Sequence, residues 1–195
     1  MIRGSIEVVE VERTEEQFDY ALSECRQIFE KKLKDYGASW RLLRPQSITD
    51  QLFIKAKRIR QLETTGVNLV GDDIYSELMA IVNYGIVALI QLELGFADTT
   101  DISNEKALAL YNKFAVKAKQ LMMAKNHDYD EAWRGMRVTS YTDFILTKIC
   151  RNKEIEDNDG KTLVSEGVDG NYFDMVNYAV FGLIKKNEEK NNKKA

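Results

Sequence analysis

The chain has 195 residues, of which 44% are hydrophobic and 30% charged, and its formal net charge is −3. This composition is typical of a folded globular protein, and the slightly acidic balance excludes a strong electrostatic case for binding nucleic acid. There are two cysteines and no signal-peptide pattern, and the longest apolar run, at 86–90, is too short for a bilayer, so we expect a cytoplasmic protein without disulfides or a membrane partner.

The first half of the chain predicts three helices, because one proline and few glycines favour helices over a turn-rich β fold. Thr14 and Gln17 have the spacing of a capping box, so the first helix is expected from there to about Lys34. A connecting segment and two more helices are expected over 35–47, 49–63 and 73–94.

The second half predicts the same order of elements. Its helices are expected over 103–126, 142–156 and 169–186. The third helix of each half carries a broad apolar stripe at helical spacing, which a single three-helix unit could hardly cover. The polar, low-complexity end at 188–195 is expected to be disordered.

The two halves are copies of one unit. At an offset of 93 residues, 35–63 matches 128–156 at 11 of 29 positions, and after one inserted residue the match continues at an offset of 94. A match of this length at fixed spacing indicates a tandem duplication. We therefore predict an all-α fold in which three-helix units at 1–97 and 98–187 pack about a pseudo-twofold axis into one helical bundle.

Acidic residues give the most informative chemical signal, because the two copies differ in them. Asp174 stands where the first unit has Ala80, within an apolar helix, where a carboxylate is costly unless it is paired or bound to a metal. With Glu166 and Asp169 one to two turns before it, three carboxylates could face one point. A single histidine and two cysteines exclude a zinc centre, so oxygen ligands would favour Mg²⁺ or Mn²⁺.

A duplicated set of basic residues points to phosphate. Lys148 and Arg151 lie three residues apart on one predicted helix, so their charged groups can converge on a phosphate. The alternative is ion pairing, with Asp174 held by Lys148 or Arg151 in a buried salt bridge and Asn177 hydrogen-bonded to Asn83 across the axis. The duplicated tryptophans either anchor the connecting segments on the core or stack on a base.

Three stretches of the second unit, KNHDYDEAWR at 125–134, TKICR at 147–151 and DMVNYAVFGLI at 174–184, resemble the nucleotide modification associated domain 1 family. The resemblance covers nearly the whole second unit and, more weakly, the first. That family is similar to the all-α NTP pyrophosphatases, the MazG-like and dimeric dUTPase group. The resemblance implies Mg²⁺ held by acidic residues on neighbouring helices, and a metal-activated water that cleaves a nucleoside triphosphate into monophosphate and pyrophosphate.

The residues and the resemblance together predict a nucleotide site in the second unit. Glu166, Asp169 and Asp174 are expected to hold the metal, and Asp128 or Glu131 to orient the water. The substrate-binding set is predicted to comprise Tyr129, Trp133, Arg134, Arg137, Lys148, Arg151, Asn177 and Tyr178. The first unit is then expected to be a degenerate copy kept for packing.

Two other hypotheses remain open on the sequence alone. The family pattern places acidic residues where Thr147 and Gly170 stand, and this departure favours a non-catalytic module that binds a nucleotide or a partner. A purely structural helical scaffold is the third reading. The sequence leaves open whether the first unit contributes Arg41 or Lys55 across the axis. It also leaves open whether the chain pairs again as a homodimer.

Overall fold

Six α-helices are present in the computed structural model, which describes residues 2–161 and 167–192, and side chains from residue 13 onward. They are α1 (Ile2–Tyr36), α2 (Pro45–Thr65), α3 (Ile74–Leu94), α4 (Asn104–Tyr129), α5 (Val138–Asp157) and α6 (Val168–Asn192). Short 3-10 turns at Ser39–Leu42 and Ala132–Gly135 lie in the two connecting segments. The described residues contain no strand, so the predicted all-α fold is confirmed.

Local sequence explains several helix ends. The Asp73 carboxylate accepts a hydrogen bond from the Ser76 backbone N–H at 2.8 Å and caps α3. The Ser103 hydroxyl caps α4 in the same way, accepting from the Lys106 N–H at 3.2 Å. Gly66 ends α2 with a φ of 66°, a left-handed conformation that glycine adopts without strain. Short-range interactions therefore set where these helices start and stop.

Each helix packs against its own copy, as a pseudo-twofold axis requires. α3 contacts α6, α2 contacts α5, and α1 contacts α4. At the centre α3 and α6 approach closely, since a Cβ added at Gly85 would lie 2.6 Å from Val176 Cγ2 and one added at Gly182 would lie 3.1 Å from Leu78 Cδ1. The tandem duplication thus forms one bundle, with the two third helices at its core.

Reciprocal hydrogen bonds between α2 and α5 use residues that the two copies share. The Thr49 hydroxyl donates to the Glu156 carboxylate at 2.6 Å, and the Thr142 hydroxyl donates to Glu63 at 2.9 Å. Burial raises the pKa of both glutamates, and the threonine bonds lower it by less. These two identities of the repeat, Thr49/Thr142 and Glu63/Glu156, therefore link the two units through α2 and α5.

α1 begins well before the predicted capping box. Thr14 lies inside the helix, fully buried, and its hydroxyl donates to the Glu131 carboxylate at 2.6 Å. The Gln17 side chain accepts a hydrogen bond from Arg134 at 2.9 Å. The prediction of a helix start at Thr14 is wrong, because both side chains serve a tertiary contact between α1 and the second connecting segment.

α6 continues through the polar end of the chain to Asn192, so the prediction of disorder is wrong for 188–192. The Glu188 carboxylate forms ion pairs with Arg13 at 2.9 Å and with Arg134 at 3.5 Å. These contacts with α1 and the second connecting segment order a stretch whose composition alone indicates disorder. Residues 193–195 lie outside the described residues.

α3 is long and apolar enough to cross a membrane by length and composition, with a mean hydropathy of 1.5 over its most apolar window. Buried residues make up 61% of that window, as in the core helix of a bundle. The sequence reading, which considered only the run at 86–90, underestimated the length of this apolar stretch. The apolar composition of α3 is explained by its packing against α2 and α6.

Candidate functional site

Two equivalent cavities lie beside the connecting segments, one in each unit. The second-unit cavity has a volume of about 250 Å³, and the first-unit cavity about 190 Å³. Most of their lining residues correspond through the repeat offsets of 93 and 94, and five pairs are identical: Lys32/Lys125, Tyr36/Tyr129, Trp40/Trp133, Asn83/Asn177 and Tyr84/Tyr178. The structure therefore brings four of the predicted substrate-binding residues to one cavity.

Asp174 is the acidic residue that lines the second-unit cavity and has no counterpart in the first. Its carboxylate is nearly buried, with Lys148 Nζ 2.7 Å from one oxygen and Lys125 Nζ 2.6 Å from the other. The three residues come from α4, α5 and α6, and we call them the lysine–aspartate cluster. Two charge-assisted bonds offset the cost of burying the carboxylate. Of the alternatives raised by the sequence, the buried ion pair of Asp174 with Lys148 is present.

The first unit also has a buried carboxylate in its third helix, that of Glu77, which lies three residues before Ala80, the counterpart of Asp174. Glu77, almost fully buried, lies 3.0 Å from Lys55 and 3.1 Å from Arg58. Its counterpart in the second unit is Asn171, whose amide donates to Asn152 Oδ1 at 2.7 Å. Each copy thus has one carboxylate at a position where the other copy has a neutral residue.

The two first-unit cations considered as contributions across the axis have carboxylate partners outside the second-unit cavity. Arg41 is buried, and its guanidinium donates to both oxygens of Asp101 at 2.7 and 3.1 Å. Lys55, the counterpart of Lys148, is bound to Glu77. Neither residue reaches the second-unit cavity in this structure.

Two other predicted phosphate ligands lie on α5 in different surroundings. Arg151 is half-buried, about one turn after Lys148. Its counterpart Arg58 binds Glu77, whereas Arg151 has no carboxylate at ion-pair distance among the described side chains of 13–161 and 167–192. Arg137 is exposed at the N-cap of α5. Neither arginine is among the described residues that line the second-unit cavity, and their phosphate-binding roles stay predictions.

Glu131, Trp133 and Arg134 hold the second connecting segment in place. Glu131 is buried and accepts hydrogen bonds from the Arg134 guanidinium at 2.8 Å and the Trp133 Nε1–H at 3.0 Å. The Trp133 ring stacks on Phe181 with centroids 4.4 Å apart and planes at 9°. These contacts match the anchoring role considered for the tryptophans. The catalytic role of Glu131 and the phosphate-binding role of Arg134 stay predictions.

The predicted metal site falls only partly within the described residues. Asp169 is exposed near the start of α6, Asp174 lies in the lysine–aspartate cluster, and Glu166 is outside the described residues. Asp128, one of the two residues predicted to orient water, is exposed beside His127 at 3.2 Å. Among the described side chains, those of 13–161 and 167–192, no three from His, Cys, Asp or Glu are grouped to hold a metal ion. The described residues alone do not form a Mg²⁺ or Mn²⁺ site.

A polar atom of Asn177, which lines the second-unit cavity, has no hydrogen-bond partner among the described residues. Its Oδ1 is buried and accepts no hydrogen bond from the described part of the chain. The counterpart Asn83 Oδ1 accepts from the Tyr111 hydroxyl at 2.7 Å, but the residue equivalent to Tyr111 is Phe18, which has no hydroxyl. An unsatisfied buried acceptor costs about 1–3 kcal/mol. A donor on a ligand would recover part of that cost.

Aromatic side chains form much of the remaining wall of the second-unit cavity. The Phe144 and Tyr178 rings lie 5.5 Å apart, and Tyr129 is 69% exposed at the end of α4. Burial, followed by the negative charge of Asp174, raises the pKa of the Tyr178 hydroxyl above its ordinary value. Tyr178 therefore remains a neutral hydrogen-bond donor at neutral pH.

Among the lining residues that sequence reasoning missed are Lys125 and Phe144. Lys125 begins the KNHDYDEAWR stretch and is matched by Lys32 in the first unit, so the repeat contained a signal for it. Phe144 has no such signal, because its counterpart at the offset of 93 is Gln51, and an exposed apolar residue on a helix is common in folded proteins.

A comparison with protein-family models matches the family described as nucleotide modification associated domain 1 to residues 32–92 and again to 125–185. The two matches cover more than half of the chain and are separated by the repeat offset of 93. Each contains the connecting segment and most of the third helix that line one cavity. No curated protein and no solved structure was found to match.

Proposed function

The chain belongs to the nucleotide modification associated domain 1 family, and on that premise we propose that it binds a nucleotide in the second-unit cavity. The observation that carries the proposal is the lysine–aspartate cluster at an aromatic cavity whose Asn177 lacks a donor among the described residues. A small apolar cavity with a few convergent polar groups is the usual form of a ligand site.

The basic residues of the second unit support binding of the phosphates. Each lysine ammonium group has three N–H donors, so Lys125 and Lys148 can hold Asp174 and still donate to a phosphate oxygen. The Lys125 side chain is 45% exposed, which leaves its ammonium accessible from solvent. Arg151, further along α5, provides a guanidinium that can bind phosphate in a bidentate manner.

The aromatic residues support binding of the base. The exposed ring of Tyr129 and the tilted pair of Phe144 and Tyr178 offer apolar surfaces on which a base can stack. Asn177 Oδ1 would accept a hydrogen bond from a ring N–H or an exocyclic amino group, and the neutral Tyr178 hydroxyl would donate one. The Trp133 ring is already stacked on Phe181 and forms the back of the cavity.

The test is a binding measurement with a matched pair of variants. Isothermal titration with a panel of nucleoside triphosphates should give saturable binding to the wild-type protein. Lys125→Gln should weaken it about tenfold or more, because a phosphate contact is lost. Lys32→Gln, which makes the same change in the first-unit cavity, should leave the affinity unchanged. Absence of binding by every triphosphate, or equal effects of the two variants, would contradict the proposal.

Metal-dependent hydrolysis is a second candidate function, in which a nucleoside triphosphate is cleaved to monophosphate and pyrophosphate as in the all-α NTP pyrophosphatases. The observation that favours it is Asp174, a carboxylate that the second-unit cavity has and the first lacks. Because the described residues do not form a metal site, we assign no catalytic step to them. Homodimer formation and a cytoplasmic location also stay predictions.

Hydrolysis is tested by following pyrophosphate release with Mg²⁺ or Mn²⁺ present. If release occurs, Asp174→Asn should abolish it, while Ala80→Asp, at the equivalent position of the first unit, should have little effect. An active Asp174→Asn protein would place the chemistry elsewhere. Binding without release by the wild-type protein would leave the nucleotide-binding function alone.

A further inference from the structure

We propose that the first-unit cavity is a second ligand site, which takes an uncharged nucleobase or nucleoside with a ring carbonyl group. The inference rests on the proposed function, because the choice of a nucleobase as the ligand's ring is taken from the ligand proposed for the second unit. Three observations support it: an aromatic frame that both cavities share, the absence of the lysine–aspartate cluster from the first, and a buried donor without an acceptor.

The shared frame consists of the residues that present rings and an amide to each cavity. Tyr36, Trp40, Asn83 and Tyr84 of the first-unit cavity are identical to their counterparts in the second. Tyr36 is 56% exposed, so its ring is accessible, as that of Tyr129 is. A cavity that keeps these side chains keeps surfaces on which a planar ring can stack.

The lysine–aspartate cluster is not repeated in the first unit. Ala80 replaces Asp174, and Lys55 is held by Glu77 outside the cavity wall. Lys32, the counterpart of Lys125, is exposed and is the one charged side chain among the described residues that line the first-unit cavity. The pair of lysines proposed to bind phosphate in the second unit is therefore missing from the first, which favours a ligand recognised by its ring.

A buried donor gives the ligand a polar contact. The Trp40 Nε1–H has no acceptor within the described part of the chain, although the Trp133 Nε1–H donates to Glu131 at 3.0 Å. The counterpart of Glu131 is Ala38, so the acceptor is missing from the first unit. An unpaired buried N–H is destabilising, and a ring carbonyl that accepts its hydrogen bond would offset that cost.

The size of the first-unit cavity limits the ligand. At about 190 Å³ it is smaller than the second-unit cavity of about 250 Å³, so it offers less room for groups attached to a bound ring. Val87 stands where the second unit has Phe181, and the Trp40 ring has a tilted contact with Phe29 at 6.4 Å in place of the stacked pair that Trp133 forms with Phe181.

The test uses the two tryptophans, which are the only ones in the chain and line one cavity each. In ¹⁵N-labelled protein their indole N–H signals are resolved by NMR and assigned with Trp40→Phe and Trp133→Phe. Titration with uridine should shift the Trp40 signal in a saturable way and leave the Trp133 signal in place. Uridine triphosphate is titrated in parallel and should shift the Trp133 signal.

Two variants locate the binding. Val87→Phe copies the second-unit residue into the first-unit cavity and should weaken uridine binding about tenfold or more by filling the space. If thermal melting shows that this variant does not fold, Tyr36→Ala, a change at an exposed side chain, takes its place with the same expectation.

The outcomes separate the two proposals. A uridine shift confined to Trp133, or no uridine shift at either tryptophan, overturns the second-site inference even when uridine triphosphate binds in the second unit. Uridine binding at Trp40 without any triphosphate effect at Trp133 supports a ring site in the first unit and contradicts the proposed function of the second.

Discussion

The first-unit and second-unit cavities have the same aromatic frame but different charges around it. In the first unit the buried carboxylate is Glu77, which binds Lys55 and Arg58 away from the cavity. In the second it is Asp174, which lines the cavity and binds two lysines. A shift of one helical turn in the position of a carboxylate thus separates an internal ion pair from a candidate ligand site. The lesson is that a duplicated fold can keep its packing while its chemistry changes at a few positions.

The largest expected effect compares the two buried carboxylates. Glu77→Ala should lower the free energy of unfolding by about 3 kcal/mol, because it leaves two partly buried cations without their partner. Asp174→Ala should cost less, about 2 kcal/mol, because it leaves the mostly buried Lys148 without its partner but the Lys125 side chain is already 45% exposed. Urea unfolding of both variants measures the difference. Equal losses would show that the two clusters are energetically alike.

An intermediate effect is expected at the two asparagines. Tyr111→Phe should cost about 1–2 kcal/mol, because it removes the donor to Asn83 and leaves that acceptor buried. Phe18→Tyr, the reverse change in the other copy, should supply Asn177 with its missing donor and stabilise the protein by up to about 1 kcal/mol. It should also weaken nucleotide binding, since Asn177 is then occupied. Thermal melting and titration test both; a destabilised Phe18→Tyr protein would show that the second unit has no room for the hydroxyl.

The smallest expected effect concerns the reciprocal threonine–glutamate hydrogen bonds between α2 and α5. Burial raises the folded-state pKa of Glu156 above its ordinary value of 4.5, so the folded state favours the protonated carboxyl. Its contribution to stability is fully present below that value and is lost as the pH rises through the folded-state pKa. Glu156→Gln is neutral at every pH, so its stability relative to wild type should rise between about pH 4 and pH 7.

Glu63→Gln is the matched variant in the other copy and should show the same trend, since burial also raises the pKa of Glu63. Melting curves for both variants at the two pH values provide the measurement. A relative stability that does not change with pH would show that neither glutamate titrates differently in the folded and unfolded states.

Much of the fold was predictable from the sequence because its signals are local or repeated. Helical apolar periodicity, the rarity of glycine and proline, and a match at fixed offset predicted six helices in two copies. The errors fall where tertiary contacts override local pattern. Thr14 has the sequence of a helix cap but donates to Glu131, and the polar end of α6 is helical where Glu188 meets Arg13.

The candidate site was predictable in part for the same reason. Asp174, Asn177 and Tyr178 share one side of α6 and were grouped by their helical spacing. Pairing of Lys125 with Asp174, and the missing donor at Asn177, depend on which side chains face each other across different helices. No spacing within one helix contains that information.

By itself the sequence determined that this protein is an all-α tandem duplication with an acidic residue in one copy that the other lacks. Only the tertiary structure decided that Asp174 is held by two lysines, that Glu77 is its displaced counterpart, and that Phe18 leaves Asn177 without a donor. The physical reason is the separation along the chain of the residues that interact. Helix formation depends on residues close in sequence, and the duplication is visible as a match at a fixed offset. The pairing of buried charges and amides depends instead on neighbours that packing brings together.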